Sequence, residues 1–169
     1  MKAGGGRAAF TLVELLVVIA IMVILAALIL PNFRYFFFRA EQVVCTSKLK
    51  NLHDVFLDQL SDGNPWPQLP SGMTIGSNEE QQWWVTQGSN SLGLKLNDWQ
   101  CPVFRILASK ATNSSQNTLI SYLPTLFDSN PSTPLNFPRM PWFTESGDYH
   151  TVGNLCVRAD GSVSPAQGP

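Results

Sequence analysis

Between Phe10 and Leu30 the chain runs for 21 residues in which only Thr11 and Glu14 are polar. At about 1.5 Å per residue a helix of that length spans roughly 30 Å, the hydrocarbon thickness of a bilayer. A backbone in lipid must satisfy its own hydrogen bonds, so a lone span has to be helical. The run therefore dictates a helix that lies in lipid or against other apolar helices, with a separate water-facing part behind it. Lys2 and Arg7 precede it and Arg34 and Arg39 follow it, which leans only weakly toward a cytoplasmic N-terminus. Phe33, Tyr35, Phe36, Phe37 and Phe38 come next. They suit an interfacial aromatic belt, or a packing surface for copies of the same helix.

A secretory signal has a short apolar region with small residues behind it. Here the order is inverted: the small residues of Gly4-Gly5-Gly6-Arg7-Ala8-Ala9 come first. That order points to cutting on the cytoplasmic side, with the apolar helix kept. Glu14 is the second oddity, because a carboxylate at membrane depth costs about 3 kcal/mol unless paired.

The stretch Ala9-Phe10-Thr11-Leu12-Val13-Glu14 resembles the processing site of type IV pilins and type II secretion pseudopilins. The resemblance implies cleavage by a prepilin peptidase between Ala9 and Phe10 and N-methylation of Phe10. It also puts Glu14 at the fifth mature position, where it pairs with the Phe10 amine of a neighbouring subunit. Such a pair rewards one stagger between subunits, so it acts as a registry device. Pro31 falls where many pilins carry a proline, and it kinks a helix by removing one hydrogen bond. The family has Gly just before the cut, where this chain has Ala9.

Beyond Pro31 the pattern turns amphipathic. Cys45, Leu49, Leu52, Phe56 and Leu60 recur at three- and four-residue steps, while Lys48, Lys50, Asp54 and Asp58 lie off that stripe. The spacing predicts a helix to about Ser61, stopped by Asp62-Gly63-Asn64-Pro65. The organisation read from this is a leader at 1–9, a membrane or filament-core helix at 10–30, its amphipathic continuation at 31–61, and a globular domain at 62–169. The last part holds 11 of the 12 prolines. Strands are expected at Trp83-Trp84-Val85, Leu92 to Leu96, Trp99 to Phe104, Thr118 to Leu123 and Asn154 to Val163, with a proline-rich loop from Phe127 to Trp142. Asp160-Gly161 marks a tight hairpin turn. Trp83 and Trp84 are expected at the core and its rim. The fold class is α+β: a long N-terminal helix packed on a small antiparallel sheet, as in pilins.

A second resemblance covers the C-terminal half. His150, nine residues, then Asp160-Gly161 is similar to the H-X9-DG ending of a pilin-like group common in Planctomycetes and Verrucomicrobia. Cys45, Asn51-Leu52, Cys101-Pro102 and Ser121-Tyr122 match further motifs of that group in order. His150 and Asp160 would lie about 30 Å apart on one strand, so they meet only if the chain reverses near Gly153. No serine or cysteine near them sits in a nucleophile motif, so no catalytic residues are expected. Some pseudopilins hold calcium near the C-terminus. Asp128, Asp148 and Asp160 are the candidates here, without ligand-loop spacing, so neither a metal nor another cofactor is expected.

Net charge is −1 and no basic stripe carries aromatics, so no nucleic-acid partner is expected. Three dispersed cysteines make neither a disulfide-rich scaffold nor a zinc pair. In an oxidising compartment Cys45 and Cys101 offer a bridge from helix to domain, with Cys156 either a free thiol or the partner of one of them. The expected function is a structural subunit of a type II secretion-type pseudopilus, not an enzyme. Its partners are copies of itself, other pilin-like subunits, the prepilin peptidase, an inner-membrane assembly platform and membrane lipid. The expected location is the inner membrane, single-pass, with the domain in the periplasm and later in a filament. The alternatives are a type IV pilus or competence pilin, a single-pass anchored periplasmic enzyme or binding domain, and a secreted protein with a removed signal.

Overall fold

A computed structural model describes residues 11–29, 33–110, 118–150 and 152–166. The chain divides between Phe37 and Phe38 into two compact units. Ala9, Phe10 and Pro31, with the expected cleavage, methylation and kink, lie outside the described residues.

In the first unit the helix α1 covers Leu12–Ile29 and buries none of its side chains. It is long and apolar enough to cross a membrane by length and composition. An apolar helix exposed on every side is stable only where lipid or other helices replace water. It thus fits a single membrane anchor.

The helix α2 runs from Phe33 to Ser61. Its stripe Cys45, Leu49, Leu52, Phe56 and Leu60 is buried in the domain core, whereas Lys50, Asp54 and Asp58 are exposed. Lys48 departs from the simple two-faced picture. Its ammonium donates to the carbonyls of Asn97 and Gln100, and partial burial lowers its pKa from the ordinary lysine range.

The expected strand at Trp83-Trp84-Val85 is instead inside a helix, α3, at Asn78–Leu92. Its start is capped by Ser77, whose Oγ accepts from the Glu80 N–H at 3.1 Å, and the Glu80 carboxylate accepts from the N–H of Gly76, one residue before the cap. Its end is Gly93 in the left-handed region, φ +67°, with the Leu94 N–H on the Gly88 carbonyl. Buried Glu80, Gln81, Trp84 and Gly88 follow the helical period, and this outweighs the strand preference of three aromatic and β-branched residues. Trp84 is buried and Trp83 packs edge-on against it at 4.9 Å, so the pair forms core and rim.

The expected strands at Leu92 to Leu96 and Trp99 to Phe104 are not strands either. Gly93 ends α3, a 3₁₀ turn occupies Leu96–Trp99, and α4 covers Pro102–Lys110. Pro102 stands at the first helical position, where its missing N–H costs nothing. Of Thr118 to Leu123 only the end enters a strand, β1 at Tyr122–Pro124. The proline-rich stretch contains one short helix, α5 at Thr133–Asn136, and leads into β2 at Pro141–Glu145. The last expected strand is a hairpin, β3 at Leu155–Arg158 and β4 at Val163–Pro165.

The four strands form an antiparallel meander in the order β1-β2-β3-β4. With the helices this gives an α+β architecture consistent with a pilin-like fold. Between them lies an aromatic core in which Phe56 of α2 meets Trp66, Trp99 and Phe143 at centroid distances of 4.9, 6.3 and 5.0 Å. Gln81 ties α3 to the approach of β1, since its Oε1 accepts the N–H groups of Leu119 and Ile120.

Candidate functional site

Two regions carry the residues singled out from sequence. The first is the start of α1. Thr11 donates to Glu14 Oε2 from its backbone N–H at 2.9 Å and from its hydroxyl at 2.7 Å. The Glu14 N–H returns a bond to Thr11 Oγ1 at 3.3 Å. This is a capping box built on Thr11-Leu12-Val13-Glu14, and it satisfies two N–H groups at the helix start. The motif is readable in the sequence from Thr11 and Glu14 three positions apart, although the charge of Glu14 is the more conspicuous feature.

The second region lies in the domain. Cys45 of α2 and Cys101, just before α4, form a disulfide across 56 residues, with their Cα atoms 5.3 Å apart. Cys156 is a buried free thiol. Around the bridge gather other residues that carry the H-X9-DG resemblance. The Cys101 N–H donates to Ser121 Oγ at 2.6 Å, and the Tyr122 hydroxyl lies 3.4 Å from the Cys45 carbonyl. His150 Nε2 lies 3.7 Å from Cys101 Sγ. Burial first, and the carboxyl of Glu145 second, push the Tyr122 phenol far above its ordinary pKa.

Glu145 completes this cluster and was not among the residues expected from sequence. It ends β2 opposite Tyr122 of β1, so the sheet register carries it into the interior. Its Oε2 accepts the Leu155 N–H at 2.8 Å, and its Oε1 lies 3.2 Å from His150 Nε2. The side chains of His150 and Glu145 are 2% and 0% exposed, so each is the other's substitute for water. His150 reaches this place because the chain turns back directly after it, through Gly153 at φ +87° with its N–H on the His150 carbonyl.

Asp160 and Gly161 serve a different contact. Asp160 Oδ1 accepts the Ser162 N–H at 2.9 Å, and the Ser162 bonds hold its exposed carboxyl below the usual range. Gly161 has φ +74°, and a Cβ there would meet His53 Cε1 at 3.3 Å. His53, buried on α2, donates from Nε2 to the Ala159 carbonyl at 3.0 Å and stacks 4.8 Å from Trp142. The Asp-Gly turn is thus the seat of the β3–β4 hairpin on α2. Gly161→Ala is expected to destabilise the domain by about 1–2 kcal/mol, read from denaturant unfolding of the full chain. An unchanged midpoint would show that the turn is not clamped by His53.

His150 and Asp160 therefore have separate partners. Asp128 caps its own turn on the Asn130 N–H. Among the described residues, the group of three or more metal-ligating side chains that converges is Cys45, Cys101, Glu145 and His150, and none of the three aspartates belongs to it.

Comparison with known families adds one match. Residues 5–30 fit the model of the prokaryotic N-terminal methylation motif. That motif marks a prepilin-processed, type IV pilin-like protein, of a kind that serves as a structural subunit and assembles with other pilin subunits. No solved structure matches the chain.

Proposed function

We propose that the chain is a structural subunit of a type II secretion-type pseudopilus, of the group with the H-X9-DG ending. Cleavage falls between Ala9 and Phe10, and the Phe10 amine is methylated. The reading rests above all on α1: a helix apolar at every position but one, whose single carboxylate stands within its first turn, inside a methylation motif.

The proposed mechanism is mechanical. The helix waits in the inner membrane with the domain in the periplasm, and an assembly platform moves it from lipid into a fibre. Apolar faces of α1 then pack against those of neighbouring copies. Both Thr11 bonds fall on Glu14 Oε2, and Oε1 has no hydrogen-bond partner among the described residues. Oε1 can therefore take the Phe10 ammonium of the next subunit while the cap stays in place. Removing a buried charge from its partner costs about 3–5 kcal/mol, so one register is selected over its neighbours.

The test is fractionation of host cells that express the chain at raised level. A pseudopilus subunit is expected with the membrane and, when overproduced, in sheared filaments together with other pilin-like subunits. Abundant surface filaments made of this chain alone at native level would favour a type IV pilus. A chain confined to the membrane at every level would contradict assembly.

A further inference from the structure

The disulfide does not use all the chemistry around it. Four ligand atoms, from Cys45, Cys101, Glu145 and His150, lie within 4.8 Å of one another in the domain interior. We infer that this cluster is a zinc site when the disulfide is reduced, with two thiolates, His150 Nε2 and Glu145 Oε1 as its ligands. The inference is independent of the filament reading.

The geometry points to tetrahedral zinc. With Zn–S about 2.3 Å and Zn–N or Zn–O about 2.0 Å, a tetrahedron separates sulfur from nitrogen by about 3.5 Å and nitrogen from oxygen by about 3.3 Å. Cys101 Sγ and His150 Nε2 are 3.7 Å apart, and His150 Nε2 and Glu145 Oε1 are 3.2 Å apart. Two edges of the polyhedron thus exist already. Of the other four edges, the one between the sulfurs must open to about 3.8 Å, which requires their bond to be cut, and the three that join Cys45 to His150, Cys45 to Glu145 and Cys101 to Glu145 start within 4.8 Å. Paired thiolates with an imidazole select zinc over calcium or magnesium, which take oxygen ligands.

The supporting bonds suit ligation as well. Glu145 Oε2 is held by the Leu155 N–H, which leaves Oε1 for one metal bond. The Cys101 backbone is fixed by Ser121 Oγ. Such outer contacts orient ligands before the metal arrives.

The exchange balances. A dithiol reductant gives two electrons and two protons to the Cys45–Cys101 bond, becomes a disulfide itself, and leaves two thiols. Zinc then enters and the two thiol protons leave; the proton held between His150 Nε2 and Glu145 Oε1 moves to His150 Nδ1 or leaves to solvent, and the metal takes the place of that hydrogen bond. Oxidation of the two thiolates by a disulfide oxidant reverses this and ejects the ion. The two states exclude each other, because a sulfur in the bridge is not a thiolate.

The test uses the full chain in detergent, reduced by a phosphine and then freed of it, with Zn²⁺ titrated against a chromophoric chelator. The expected result is one zinc per reduced chain and none per oxidised chain. Cys156→Ser is expected to leave this unchanged, and His150→Ala and Glu145→Gln are each expected to weaken binding at least 10-fold. Co²⁺ on the unmutated reduced chain is the second probe, which no folding defect can obscure. Tetrahedral visible bands with a thiolate charge-transfer band are expected. No zinc on the reduced, folded chain would overturn the inference. So would equal binding by the oxidised chain, or an octahedral cobalt spectrum.

Discussion

Glu14→Ala is expected to abolish entry into filaments while the chain remains in the membrane and is still cleaved. In the assembled state the change leaves the Phe10 ammonium of a neighbour without its carboxylate among apolar helices. A penalty of about 3–5 kcal/mol corresponds to more than a 100-fold loss of assembly at each contact. The same substitution also removes the carboxylate half of the capping box on α1, since Glu14 accepts both bonds from Thr11, while the backbone N–H of residue 14 keeps Thr11 Oγ1. Thr11→Ala separates the two effects. It breaks the capping box at a cost of about 1 kcal/mol and leaves the charge in place, so assembly is expected to persist. Normal filament yield from Glu14→Ala, read in the sheared fraction beside the cleaved membrane pool, would remove the registry role.

Loss of the Cys45–Cys101 bridge is the second large effect expected. The bond closes a loop of 56 residues, which in the chain-entropy account is worth about 4 kcal/mol. It also joins α2 to the segment that starts α4, so its loss frees both from each other. Replacing both cysteines with alanine is expected to lower the thermal midpoint by about 10 °C or more, measured on the full chain in detergent by circular dichroism. Reduction of the unmutated chain in the presence of a chelator should give a drop of the same sign. A midpoint unchanged in the double variant would mean that the aromatic core around Phe56 and Trp99 holds the helix alone.

The domain's helices were unequally readable. The stripe of α2 is plain because Cys45, Leu49, Leu52, Phe56 and Leu60 are apolar and buried at three- and four-residue steps, and the buried polar His53 beside them does not break that pattern. The stripe of α3 is masked because two of its buried positions are Glu80 and Gln81 and a third is Gly88. Those side chains are inside for reasons no periodicity displays. Glu80 receives Trp84 Nε1–H, Gln81 receives two backbone N–H groups, and Gly88 makes room for the Trp99 ring. Yet Ser77-x-x-Glu80 and Gly93 were there as start and stop signals, and weighing them above the Trp83-Trp84-Val85 triplet would have yielded the helix.

At the site the pattern is similar. Cys45, Cys101 and His150 can be picked out as residue types, and Asp160-Gly161 as a turn. Glu145 cannot, because its burial comes from the pairing of β2 with β1 and β3, a tertiary fact with no local mark. The capping role of Glu14 was open to reading from Thr11 three positions earlier.

The most direct measurement is the mass of the N-terminal peptide of the mature protein, taken from the membrane fraction of host cells. The account predicts a chain that begins at Phe10 with a methylated amine, cut after Ala9. An intact Met1 start, or a first residue beyond Leu30, would contradict it: the first leaves an uncleaved anchor with no free Phe10 amine for Glu14, and the second discards the helix on which assembly depends.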